Sequence, residues 1–247
     1  MTAAVVIPAR WASARMPGKP LVPLLGRPMI EWVYAAAAHC DRVGRVVVAT
    51  DDARIGEACT AFGAEVAFTR PDHPTGTDRV AEVAAGLEAD VVVNVQGDEP
   101  LLEPRLVDAL LDAFESDPEA RMATLVAPGE PDRFEDPNCV KALLDARGRA
   151  LCFTRAPVPA VRKGEPPPPY WQHLGVYAYE RSMLLDFVQR PQSPLERIEH
   201  LEQLRVLEAG EPIVVGRIEG WRGTAVDVVQ DVARAEAALR AAGRLTP

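Results

Sequence analysis

Short runs of β-branched residues recur through the first hundred positions, and the stretches between them carry apolar residues three and four apart. Ala4-Val5-Val6-Ile7, Arg45 to Ala49, Glu65 to Thr69 and Asp90 to Val95 read as strands. Pro28 to Cys40, a segment opened by Asp51 and Asp52 and running through Phe62, and Thr77 to Leu87 read as helices. Strands that are apolar on both faces and alternate with helices predict a parallel sheet covered on both sides. Such a sheet presents ligands at the carboxyl ends of its strands.

The second half is less regular. Met122 to Ala127, Val140 to Leu144, Ala150 to Thr154, His173 to Tyr179 and Pro212 to Ile218 read as strands, with a helix starting at Pro104. The run Lys163-Gly164-Glu165 followed by four prolines cannot be helical and predicts an exposed loop. Ser193-Pro194-Leu195-Glu196 has the pattern of a capping box, with Ser193 as N-cap, and predicts a helix through Leu207. Val228 to Ala242 predicts a final Ala-rich helix, with Asp227 available as its N-cap. Nothing divides the chain into independent domains, so 1–247 reads as one domain with a secondary lobe.

Composition narrows the class of partner. The 247 residues are 48% hydrophobic and 26% charged, as in soluble globular proteins. A net charge of -9 is the wrong sign for non-specific binding to nucleic acid or an anionic membrane. No apolar run approaches the length of a membrane span and no signal peptide is evident, so a cytoplasmic location is expected. Cys40, Cys59, Cys139 and Cys152 are scattered, and with the four histidines they make no zinc motif; none reads as catalytic.

Against that acidic background, Arg10, Arg15 and Lys19 stand within ten residues of a Pro- and small-residue-rich loop directly after the first strand. Fixed cations and close backbone approach suit a polyphosphate, although neither a Walker A loop nor a dinucleotide fingerprint is present. Gln96-Gly97-Asp98-Glu99 follows another strand to the same edge, and carboxylates beside phosphates suit Mg²⁺. Alone, Asp98 reads equally well as an ordinary acidic turn and Asp227 as an ordinary cap. Arg155, His173, Glu202 and Gln203 are scattered polar residues that spacing does not gather into a site.

These segments together resemble the CMP-sugar synthetase family. The resemblance rests on Ile7-Pro8-Ala9-Arg10, Arg15-Met16-Pro17-Gly18-Lys19-Pro20-Leu21 and Gly26-Arg27-Pro28-Met29-Ile30. It continues through Val48-Ala49-Thr50-Asp51, Thr75-Gly76-Thr77-Asp78-Arg79 and Val93-Asn94-Val95-Gln96-Gly97-Asp98-Glu99-Pro100. It extends over His173-Leu174-Gly175-Val176-Tyr177, Ser193 to Glu196, Glu202 to Arg205 and Gly223 to Asp227.

The resemblance implies an α/β, three-layer, Rossmann-like nucleotide-diphospho-sugar transferase fold, with a mostly parallel sheet and a smaller mixed lobe. It implies a nucleotide-binding half over 1–120 and a sugar-binding and dimerisation half over 121–247. The implied enzyme is a nucleotidyltransferase that uses Mg²⁺ to move CMP from CTP to the anomeric hydroxyl of 3-deoxy-D-manno-octulosonate (Kdo). The products are CMP-Kdo and pyrophosphate, for lipopolysaccharide synthesis, and the enzyme is a cytoplasmic homodimer.

By position, Arg10, Arg15, Lys19 and Asp98 would be catalytic. Ala9, Arg10, Lys19, Thr75, Gly76, Arg79 and Gln96 would meet the nucleotide. Arg15, Gln96, Arg155, His173, Tyr177, Glu202 and Gln203 would meet the sugar acid, and Asp98 and Asp227 the metal. Three departures stand out: Trp11 where the family has Tyr, Ala156 to Ala160 where it has a segment ending Ile-Pro-Trp, and Val228-Val229 where it has Thr-Pro. The second leaves open another 2-keto-3-deoxy sugar acid, such as an amino-Kdo or a nonulosonate. A non-catalytic nucleotide binder on the same fold is the remaining alternative.

Overall fold

A computed structural model describes every residue except 13–15, 222, 224 and 247. The elements run β1 Ala3–Ala9, β2 Pro23–Leu24, β3 Arg27–Pro28, α1 Met29–Ala38, β4 Val43–Thr50, α2 Ala53–Ala61 and β5 Glu65–Phe68. They continue with α3 Gly76–Ala85, β6 Val91–Asn94, α4 Pro104–Ser116, β7 Met122–Pro128, β8 Lys141–Leu144, β9 Ala150–Thr154 and β10 Trp171–Glu180. The chain ends with α5 Arg181–Phe187, α6 Pro194–Glu199, α7 Leu204–Glu208, β11 Ile213–Arg217 and α8 Val229–Ala241. Two compact units result: 1–108 with 180–188 and 222–247, and 109–179 with 189–221. The division differs from the expected break at residue 120, because the last segment returns to the first unit.

The first unit is built on the parallel strands β6-β1-β4-β5. Val5 lies beside Val46 on one side and Val93 on the other, and all three are buried. β-branched side chains suit this position because both faces of the sheet are covered. Thr75 caps α3: its hydroxyl accepts the Asp78 N–H at 3.2 Å, while the Asp78 carboxylate accepts the Thr75 N–H at 3.1 Å. The β2–β3 hairpin turns on Leu25 and Gly26, both at positive φ. A core of Leu24, Met29, Trp32 and Leu101 packs against Val226, Ala235 and Leu239, which ties Val226 and α8 to this unit.

In the second unit, β7 pairs antiparallel with β10 and parallel with β11, while β8 and β9 form an antiparallel pair. The expected helix from Ser193 to Leu207 is two short helices, α6 and α7. His200 ends α6 in the left-handed region, at φ 53°. The capping box is half-formed: Glu196 accepts the Ser193 N–H at 3.1 Å, but the Ser193 hydroxyl has no partner. Glu196 instead holds Arg205 in a buried two-point pair at 2.8 and 2.5 Å. Helix α5 was not expected from the pattern; its buried Met183, Leu184 and Phe187 were its only signal.

Candidate active site

The site begins at the carboxyl ends of β1 and β6. Pro8, Ala9 and Arg10 leave β1, Gln96, Gly97 and Asp98 follow β6, and all six line a cavity of about 210 Å³ in the first unit. Gly97 lets the two loops approach closely, since a Cβ there would crowd the Pro8 carbonyl oxygen at 3.1 Å. Lys19, Pro20, Gly76 and Asp227 complete the lining.

Two backbone devices deliver the charged groups. The Val226 N–H donates to the Asp98 carbonyl at 3.0 Å, which brings residue 227 beside the loop after β6. Asp227 is not the N-cap of α8. Val228 holds that place, and Asp231 reaches back to accept the Asp227 and Val228 N–H groups at 2.8 and 3.0 Å. The Asp227 carboxylate is therefore released from capping and faces the cavity. Lys19 opens a short 3₁₀ turn after Gly18, whose φ is 70°. The Gly18 N–H donates to the Trp11 carbonyl at 2.9 Å, and the Trp11 ring lies where a residue-18 Cβ would be, at 2.9 Å. Arg54, gripped by Asp52, stacks 3.3 Å from the centre of that ring. The turn that carries Lys19 is thus braced by Trp11 and Arg54.

Lys19 Nζ lies 2.6 Å from Asp98 Oδ2 and 2.9 Å from Asp227 Oδ1. Burial, the largest single influence, lowers the pKa of this ammonium, but Asp98 and Asp227 together outweigh it and hold it above the ordinary value. Neighbouring Glu99 is pushed up to about 8, first by burial and then by Asp98 and Asp227, with Lys19 opposing. Two carboxylates that converge on one cationic atom fit a small divalent cation, with the ammonium as stand-in. Among the described residues no group of three His, Cys, Asp or Glu could hold a metal. Two carboxylates are as many as Mg²⁺ ordinarily takes from a protein; it completes its shell with water and phosphate.

Arg15 lies outside the described residues. Thr75 and Arg79 do not line the cavity. Thr75 caps α3, and Arg79 is 3% exposed, paired with Asp51 at 3.2 Å and hydrogen-bonded to the Thr69 hydroxyl. Gln96 is braced by Asn94 at 3.1 Å.

In the second unit, Arg155 gives Nε–H to the Glu199 carbonyl at 2.7 Å, Nη1–H to that of Pro137 at 2.9 Å and Nη2–H to that of His200 at 3.4 Å. Two of its five donors remain. The Thr124 hydroxyl donates to the Val176 carbonyl at 2.8 Å and so accepts from His173 Nε2–H at 2.9 Å. Burial holds the His173 pKa down at about 3. Tyr177 donates to Gln203 Oε1 at 3.2 Å, and its hydroxyl is raised by burial and by Glu202. Gln203 Nε2 is buried and has no partner. Arg54 was the contributor that spacing did not place; only the fold sets it against Trp11.

The chain belongs to the cytidylyltransferase family: the family model of that description matches residues 4–213. Its relatives narrow the branch. The 3-deoxy-manno-octulosonate cytidylyltransferase of Syntrophotalea carbinolica is 47% identical, over 97% of this chain and 99% of its own. That of Syntrophobacter fumaroxidans is 51% identical, over 85% and 86%. A solved CMP:2-keto-3-deoxy-manno-octonic acid synthetase complexed with CTP superposes with a TM-score of 0.92 at 40% identity, covering 98% of this chain and all of that one. The nucleotide-diphospho-sugar transferase fold expected at the outset is the fold found, and the protein is an enzyme of nucleotidyl transfer. Among the described residues, no helix is long and apolar enough to cross a membrane.

Proposed function

We propose that this enzyme transfers CMP from CTP to the anomeric hydroxyl of Kdo and releases pyrophosphate. The observation that carries the reading is the convergence of Asp98 and Asp227 on one cationic atom, beside Arg10, at the carboxyl ends of β1 and β6. The hydroxyl must approach a triphosphate whose negative charge repels it. Arg10 and Lys19, with Arg15, offset that charge, and Ala9, Gly76 and Gln96 bring polar groups and backbone close to the nucleotide. Thr75 and Arg79 hold the start and flank of α3 in place. Asp98 and Asp227 would hold Mg²⁺, which when bound would screen the phosphates and acidify the attacking hydroxyl. No protein nucleophile is needed.

The sugar acid is assigned to Arg155, His173, Tyr177, Glu202 and Gln203 of the second unit. Arg155 keeps two N–H donors for the carboxylate, and the Gln203 amide keeps an unspent one for a sugar hydroxyl. We further propose a homodimer. Leu195 and Ile198 are exposed one helical turn apart on α6, and Leu151 is exposed on β9. Work on CTP and a lipopolysaccharide precursor fits the cytoplasm.

The test is pyrophosphate release with Mg²⁺, offering CTP, UTP, ATP and GTP against Kdo and related keto-acids. Release with CTP and Kdo is expected. Release with CTP and only another keto-acid would keep the chemistry and move the acceptor, pointing to Ala156 to Ala160. No release from folded protein would overturn the reading.

A further inference from the structure

Two demands fall on Lys19. As a phosphate ligand it must face the nucleotide, yet its ammonium is hydrogen-bonded to both Asp98 and Asp227. Those are the two carboxylates proposed to hold a divalent cation. A divalent ion held between the same two carboxylates would stand a few ångströms from the ammonium, and the two cations would repel. We infer that Lys19 is an internal counter-cation. It occupies the carboxylate pair in the free enzyme and yields it only when nucleotide brings phosphates for the ammonium to bind.

The consequence is ordered loading: metal alone binds poorly, and nucleotide makes metal binding tighter. The exchange leaves neither cation without an anionic partner. Before it, one ammonium faces two carboxylates; after it, the metal faces them and the ammonium faces phosphate. The geometry allows the exchange with little backbone movement. Lys19 is anchored through its own N–H to the Met16 carbonyl at 3.1 Å, and the Leu21 N–H to the Gly18 carbonyl at 2.9 Å closes the turn. The four-carbon stem can swing the ammonium while that turn stays fixed.

The inference rests on Asp98 and Asp227 as the cation's carboxylates, and not on which sugar acid is used. The probe is Mn²⁺ titrated into nucleotide-free enzyme, with free Mn²⁺ read by electron paramagnetic resonance. Lys19→Met should bind Mn²⁺ roughly tenfold more tightly than wild type, the order expected when one nearby charge is removed from a partly solvated site. Lys19→Arg, which keeps the charge, should stay close to wild type. Adding Asp98→Asn to Lys19→Met should cancel the gain. Lys19→Gln replaces Lys19→Met if the latter fails to fold, as judged by circular dichroism.

Equal Mn²⁺ affinity in wild type and Lys19→Met would overturn the inference. So would an arginine variant as tight as the methionine one, or a gain that survives Asp98→Asn. Because this readout needs neither CTP nor sugar, a gain in Mn²⁺ affinity with no pyrophosphate release would retain the counter-cation and reject the proposed reaction.

Discussion

The two units treat their polar residues differently. In the first, Asp98 and Asp227 are held by their backbones and line a cavity, where both pair with a lysine whose stem can move. In the second, the candidate groups are built into the protein. Arg155 spends three donors on carbonyls, His173 is closed onto Thr124, and Tyr177 is closed onto Gln203. The first arrangement leaves charge ready for a ligand. The second fixes shape, leaving a few unspent donors to recognise one. Charge chemistry and recognition are therefore expected to respond differently to mutation.

The largest effect should follow loss of a cavity carboxylate. Asp98→Asn should cut turnover by roughly a thousandfold or more, the scale of losing a key electrostatic group, while the melting temperature moves little. Steady-state pyrophosphate release and a thermal melt check both halves of that statement. Loss of turnover that merely tracks unfolding would erase the contrast between the units.

Next comes the buried pair of the second unit. Glu196 is 2% exposed and holds Arg205 at two points as well as the Ser193 N–H. Glu196→Ala should cost about 3–5 kcal/mol of unfolding free energy, because the buried Arg205 loses its carboxylate partner. Urea denaturation measures it. The KM for CTP of the folded fraction should not change.

A smaller loss is expected at Tyr177→Phe, about 1–2 kcal/mol, since Gln203 Oε1 loses its donor inside the protein. The same change should raise the KM for the sugar acid and leave that for CTP alone. A rise in both would mean that Tyr177 supports the nucleotide as well, and the division of labour would fail.

Most of the first unit was readable from the chain, because its strands are buried on both faces and carry a dense β-branched signal. Val5, Val47 and Val92 needed no tertiary context to be read as sheet. The second unit was harder for physical reasons. The break at His200 depends on a left-handed residue that no local residue type demands, beside carbonyls held by a distant arginine. The capping pattern at Ser193 was real, but Glu196 was also claimed by Arg205. The candidate site was readable only in part. Arg10 directly follows β1, and Lys19 and Asp98 lie in the loops after β1 and β6, whereas Asp227 looked like a cap until Asp231 was seen to do the reaching back. Trp11 and Arg54 stand more than forty positions apart, and no spacing rule joins them.

The finest test of the comparison is a pH slope. The His173 imidazole is 9% exposed, with its pKa held at about 3 by burial, against an ordinary value of 6.5. Above pH 6.5 it is neutral in both folded and unfolded chains, and its contribution to stability is complete. As the pH falls below 6.5 the unfolded chain takes up the proton first, so stability declines until the folded group titrates near 3. The limiting slope is about 1.4 kcal/mol per pH unit. His173→Gln can still donate to Thr124 but cannot take the proton. The stability gap between wild type and variant, from urea midpoints between pH 7.5 and 4.5, should therefore narrow steadily below about pH 6. Parallel curves would mean that His173 is charged in the folded enzyme. It would then belong with groups that face a ligand in water, and the second unit would be as open, chemically, as the first.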